Sequence, residues 1–223
     1  MSPSATAPAR EVVVILHGVA ISHRLTARLA KFVAAAGYDV HNLDYPSKTV
    51  PLAELGPRWL AAKLAELGVE CAPKLHFVTH SMGGLIVRGY LAAHRPPNLG
   101  RVVTIVPPHR GSAVSDKLRR LPLIWRIIGR NLGALGTGPD AYWRMLPPRA
   151  DFELGVIAGS SALNPLGWLY LERPHDGTVA EHSTRLDGMR DHLLLPSNHT
   201  LILFRRRTAE QAIAFLRTGR FAR

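Results

Sequence analysis

Cysteine is nearly absent from this sequence: Cys71 stands alone, so no internal disulfide can form and no sulfur-based zinc cluster is available. Long apolar runs are missing too. The hydrophobic residues, 47% of the chain, come in short stretches broken by turn residues, well under the ~18 that span a bilayer, which predicts a soluble chain. The first ten residues, MSPSATAPAR, are small and polar, and the apolar run at 12–16 is too short for a signal-peptide core. A cytoplasmic location, peripheral to a membrane at most, is the expectation. Acidic residues are scarce, 16 Asp and Glu against 28 Lys and Arg, for a net charge of +12. Such a balance concentrates anionic partners of any kind around the chain. The basic residues are scattered apart from Arg205-Arg206-Arg207, and no zinc-finger, helix-turn-helix or RNA-recognition signature accompanies them. Nucleic acid therefore ranks low as a partner, and an anionic membrane surface stays open.

What is present is alternation. Buried-strand patterns at 12–16, 38–43, 75–79, 101–106, 154–158 and 192–195 are separated by helical patterns at 24–36, 52–67 and 82–94, with a last helix after Thr208. Thr208 and Gln211 read as a capping box, and Gly219 as the matching stop. This order predicts one α/β domain over residues 1–223, about six mostly parallel strands with helices on both faces. Two stretches break the pattern. Residues 107–152 hold six prolines and follow a strand end, where sites gather in such sheets, and read as a small cap; residues 160–175 read as a loop-like insertion.

The chemistry-bearing segment is Thr79-His80-Ser81-Met82-Gly83-Gly84, between a strand pattern and a helix pattern. A serine on a sharp strand-to-helix turn projects its hydroxyl above the sheet edge, and small neighbours let strand and helix approach. Thr79 stands where glycine is usual, and its β-branch crowds the turn; whether the hydroxyl tilts or the reaction slows is left open, because Gly83 and Gly84 keep the relief on the helix side. A serine needs a base, and a histidine suits that task near neutral pH. Of 11 histidines, His199 follows the last strand pattern and the turn Pro196-Ser197-Asn198, as the order serine, acid, histidine requires. His192 lies a strand too early, His175 and His182 read as surface loop residues, and His80 as pointing away from the serine. Asp176, in an Asp-Gly turn, is the preferred acid, with Asp187 and Asp191 as competitors. The amides of Met82 and Val19, the latter after His17-Gly18, are the candidate oxyanion donors.

With LHGV at 16–19, HSMGG at 80–84, PHRGS at 108–112, DGTV at 176–179 and the histidine at 199, the chain resembles a bacterial lipase or esterase of the α/β-hydrolase superfamily. The resemblance implies Ser81 as nucleophile, Asp176 as acid, His199 as base, and Val19 with Met82 as oxyanion hole. His109 would be structural. No cofactor is implied, and no metal, since Leu201 stands where larger lipases of this kind carry a calcium-binding aspartate. The implied substrate is a small acyl ester; a thioester, or an alcohol acceptor in place of water, suits the same residues, and a catalytically weak basic protein at a membrane surface is the reading from another class. Residues 122–132 predict a short interfacial helix with Ile124, Trp125, Ile128 and Leu132 on one face and Arg126 and Arg130 opposite, a stripe equally suited to packing on its own core.

Overall fold

The computed structural model describes residues 9–162 and 165–223, the Trp125 side chain aside. The leader reading at residues 1–10 falls mostly outside these residues. Six strands, β1 (Val12–Leu16), β2 (Asp39–Leu43), β3 (Leu75–His80), β4 (Leu99–Ile105), β5 (Leu154–Gly159) and β6 (Asp191–Leu195), form one sheet in the order β2-β1-β3-β4-β5-β6. Every pairing is parallel. Parallel strands need crossovers, and the crossover helices cover both faces.

Alternate residues of each strand feed two separate cores. Val12, Val14, Leu16, Phe77 and Val156 pack on one side against the segment that follows β2 and α4 (Met82–Ala93). Val13, Ile15, Val78, Val103 and Ile157 pack on the other against α1 (His23–Ala35) and α10 (Arg206–Thr218). All five residues of β1 are buried, as a strand covered on both faces requires.

Several local expectations are corrected. The helix expected at 52–67 is α2 (Leu52–Glu54), a π-helical turn over Leu55–Leu60, and α3 (Ala61–Glu66). Pro57 brings no N–H to the helical ladder, and the chain widens at that point. The last helix starts at Arg206, with Thr208 fully buried in its first turn and Gln211 donating to the Ala222 carbonyl, so there is no capping box. Gly219 does end it, at φ 73°.

The segment between β4 and β5 carries three short helices, α5 (Ala113–Leu118), α6 (Pro122–Ile128) and α7 (Asn131–Ala134). The single helix expected over 122–132 does not form, because Gly129 turns the chain at φ 96°. Ile124 and Ile128 are half-buried and Leu132 is buried, so this part of the stripe faces the protein. The Trp125 side chain lies outside the described residues. The insertion at 160–175 contains a short helix, α8 (Pro165–Tyr170), and α9 (Glu181–Thr184) precedes β6. Among the described residues no helix is long and apolar enough to cross a membrane.

Candidate active site

Ser81 sits between the end of β3 and the start of α4 with φ 52° and ψ −120°, a backbone conformation a non-glycine residue rarely adopts. Its amide is tied to the Ile105 carbonyl at 2.9 Å. The close packing that holds this turn depends on glycine: a Cβ at Gly83 would lie 2.9 Å from the Leu16 and His17 carbonyl oxygens. The β1 loop comes equally near, since a Cβ at Gly18 would lie 3.2 Å from the Ser81 Cβ.

The Ser81 Oγ lies 3.0 Å from His199 Nε2, and His199 Nδ1 lies 2.7 Å from Asp176 Oδ2. A carboxylate accepts only, so Nδ1 carries the proton and the Nε2 lone pair faces the serine hydroxyl. Asp176 is 1% exposed. Its other oxygen accepts from the Thr178 and Val179 amides at 2.8 and 2.7 Å, which fixes the carboxylate plane. The His199 amide donates to the Asp176 carbonyl at 3.0 Å, so the two loops are joined through backbone as well as side chain.

The sequence-based competitors lie elsewhere. Asp187 pairs with Arg110 at 2.9 Å, and Asp191 accepts from Arg223 and from the Phe221 amide. His192 is the second residue of β6, at the far end of the sheet, with its Nε2 at 3.1 Å from the Thr184 hydroxyl.

Three readings of neighbouring residues meet the structure here, and those of His80 and His175 are corrected. Thr79, in register with Leu16 and Thr104, is buried in β3, yet the Ser81 hydroxyl keeps its contact with His199, so the β-branch does not tilt it away. His80 does not point away from the site: its Nε2 donates to the His199 carbonyl at 2.8 Å, and the two rings lie 5.0 Å apart. Burial first, and then the neighbouring His199, lower its pKa to about 3. His175 is buried, accepting from the Gly177 amide at 3.2 Å, while His182 is exposed. His109 is fully buried beside the Thr104 hydroxyl, as a structural residue would be, and burial holds its pKa well below the usual value.

No family model matches the chain. Solved structures do. The mature form of the Bacillus licheniformis lipase BlEst2 superposes with a TM-score of 0.74 over 99% of this chain and 96% of its own, at 24% identity. This is the α/β-hydrolase fold. Aspergillus fumigatus lipase B matches at TM-score 0.68 and 16% identity, over 96% of this chain and 54% of that one. Phospholipase PlaB of Legionella pneumophila matches at TM-score 0.59 and 19% identity, over 78% and 45%.

In this α/β-hydrolase fold the candidate oxyanion donors follow the carboxyl ends of the neighbouring strands β1 and β3. Met82 opens α4, so its amide is one of the N–H groups a helix leaves without an internal partner. Val19 lies half-buried between Gly18 and Ala20, which itself has φ 58°. A cavity of about 350 Å³ opens beside Asp176 and His199, walled by Gly177, Thr178, Asn198, Thr200 and Leu201. Among the described residues no group of three or more His, Cys, Asp or Glu is placed to hold a metal.

Proposed function

We propose that the protein is a serine hydrolase that cleaves small carboxylic esters through an acyl-enzyme on Ser81. The observation that carries this reading is the continuous chain Ser81 Oγ, His199 Nε2, His199 Nδ1, Asp176 Oδ2, at 3.0 and 2.7 Å. His199 takes the Ser81 proton as Oγ bonds to the ester carbonyl carbon. The carbonyl oxygen becomes an oxyanion, to which the Met82 and Val19 amides donate. Its collapse breaks the bond to the alcohol oxygen, which leaves with the proton from His199. Water, deprotonated by the same imidazole, then attacks the acyl carbon, and the proton returns to Ser81 as the acid is released. Asp176 holds the tautomer and balances the transient imidazolium, with no proton transfer of its own. An alcohol acceptor in place of water would turn the same cycle into acyl transfer, and a thioester would enter it equally well. The lipase and phospholipase neighbours support an acyl ester as the substrate class.

The partner surface belongs to this reading. Leu121, Leu123 and Ile127, 51%, 69% and 54% exposed, stand among the exposed Arg120, Arg126 and Arg130 on the β4–β5 segment. We assign residues 107–152 as a cap whose outer face meets anionic lipid, through these three aliphatics rather than through the inward stripe. Turnover of p-nitrophenyl esters of increasing acyl length, with products analysed in the presence of glycerol, tests substrate class and acceptor. Sedimentation with anionic and neutral vesicles, for wild type and for Leu123→Asp with Arg126→Glu, tests the surface. Binding indifferent to lipid charge and to the substitutions would remove the membrane partner.

A further inference from the structure

The β1 loop that carries Val19 is held from outside itself. His17 Nε2 lies 2.9 Å from Asp44 Oδ1, the Tyr45 hydroxyl donates to the His17 carbonyl at 2.6 Å, and the Tyr45 ring stacks on the His17 ring at 4.1 Å. The Ala20 amide donates to Ser47 Oγ at 3.2 Å. Residues 44–47 of the loop after β2 thus grip residues 17–20 at both ends, with Gly18 and Val19 between the grips. Ala20 needs the grip: a left-handed backbone on a residue with a Cβ is strained and persists only where surroundings over-determine it.

The gripping loop is in turn held by the buried side chain of Asn131 in α7. Its Nδ2 donates to the Ser47 carbonyl at 2.9 Å and to the Val50 carbonyl at 2.8 Å, and its Oδ1 accepts from the Leu52 amide at 2.8 Å. Asn131 is 2% exposed and Ser47 5%. The chain beside it is pressed on the same loop: the Arg130 amide donates to the Lys48 carbonyl at 3.3 Å, and a Cβ at Gly129 would lie 2.6 Å from that oxygen. None of these bonds involves Ser81, Asp176 or His199. No other uncharged side chain of this size offers two donors and an acceptor in the arrangement the three backbone groups require.

The geometry points to Asn131 as a positioning residue that, through Ser47, sets the Val19 amide against the developing oxyanion. The inference rests on the serine-hydrolase reading for its catalytic consequence. Its structural half, that Asn131 holds residues 17–20, stands apart from that reading. An oxyanion donor acts at the transition state, so displacing it lowers turnover and leaves substrate binding nearly unchanged.

The test uses the full chain as Asn131→Asp, which keeps the volume and turns two donor contacts into acceptor against acceptor. Ser47→Ala, which removes only the Ala20 acceptor, is the milder second variant, and Ser47→Thr, which keeps the hydroxyl, is the rescue. Three readouts are taken well below the melting temperature: kcat and KM on p-nitrophenyl butyrate, affinity for a trifluoromethyl ketone whose adduct is an oxyanion, and hydrogen exchange by peptide. The expected result is a fall in kcat of about 10- to 100-fold with KM within about threefold, and a parallel loss of ketone affinity. Exchange should rise in the peptide covering 17–20 and stay level in those carrying Ser81, Asp176 and His199, while Ser47→Thr stays near wild type. If Asn131→Asp and Ser47→Ala lower only the melting temperature, with kcat, ketone affinity and exchange at 17–20 as in wild type, the proposal is overturned. A wild type that turns over no ester would instead remove the hydrolase reading, and the exchange comparison would still decide whether Asn131 holds the loop.

Discussion

Two of the histidine–carboxylate pairs stand at opposite ends of the parallel sheet, and only one of these two turns its other ring nitrogen to a hydroxyl. Beyond the carboxyl end, His199 gives Nδ1–H to Asp176 and turns its Nε2 to the Ser81 hydroxyl. Near the amino end, His76 gives Nε2–H to Glu11 at 3.2 Å, and its Nδ1 accepts from the Arg101 amide at 2.8 Å. Both nitrogens of His76 are spent on strapping the residue before β1 to β4. The amino end also holds the wider cavity, about 680 Å³, lined by Glu11, His76, Arg101, Glu153 and Arg190. Size and a titratable pair are therefore poor guides here. The free lone pair, aimed at a serine on a strained turn, separates a candidate base from a brace.

The sharpest break of this comparison is a pair of substitutions. Ser81→Ala is expected to lower ester turnover by on the order of 10⁴-fold or more, whereas His76→Gln at the other end should leave it near wild type and lower the unfolding midpoint. Steady-state kinetics and urea unfolding on both variants check this; comparable kinetic losses would erase the distinction between the ends. One step smaller is the choice of acid. Asp176→Asn should cost about 10⁴-fold by presenting the imidazole in the wrong tautomer, and Asp187→Asn, which removes an exposed partner of Arg110, should cost almost nothing.

The features that were legible in the sequence are the local ones. Ser81 announces itself because strand pattern, serine, glycines and helix pattern are contiguous, and Asp176 because Asp-Gly defines a turn by itself. His199 needed only the chain order. The grip on the β1 loop is invisible in the sequence, since it joins residues 27 to 84 positions apart through backbone amides and carbonyls that no residue type announces. Which way the α6 stripe faces is not legible, because Leu123 and Ile127, the exposed residues, are as apolar as Ile124 and Ile128, which face inward. Periodicity identifies a face without saying what it meets. The same limit hid His80, whose neighbour in the sequence is Ser81 but whose bond is to His199.

His80 supplies a smaller effect that sharpens the contrast. Folded, its pKa is lowered to about 3; unfolded, it takes a proton below the ordinary histidine value of ~6.5. Its contribution to stability is therefore complete above ~6.5 and is lost as the pH falls from there toward 3, by about 1.4 kcal/mol per pH unit. His80→Gln keeps a donor for the His199 carbonyl and removes the proton sink, so it should flatten the pH dependence between 6 and 4 by roughly that slope. Urea unfolding at stepped pH measures it, and an unchanged slope would mean that His80 is not held neutral.

The smallest expected effect concerns Thr79. Its buried hydroxyl has no protein partner among the described residues, whereas Thr104, beside it in the sheet, has one in His109. Thr79→Val should raise stability by about 1 kcal/mol and leave ester turnover within a few-fold of wild type. Thr104→Val should destabilise instead, because it leaves the buried His109 Nε2 alone. Opposite signs in thermal unfolding would support this, and a large loss of turnover in Thr79→Val would give the hydroxyl a role in the turn.

The most direct measurement of the central claim is covalent labelling with a fluorophosphonate followed by peptide mapping. The account predicts a single adduct, on Ser81, formed in step with loss of ester turnover, slowed strongly in His199→Ala and absent in Ser81→Ala. An adduct on another residue, or ester turnover that persists in Ser81→Ala, would contradict it.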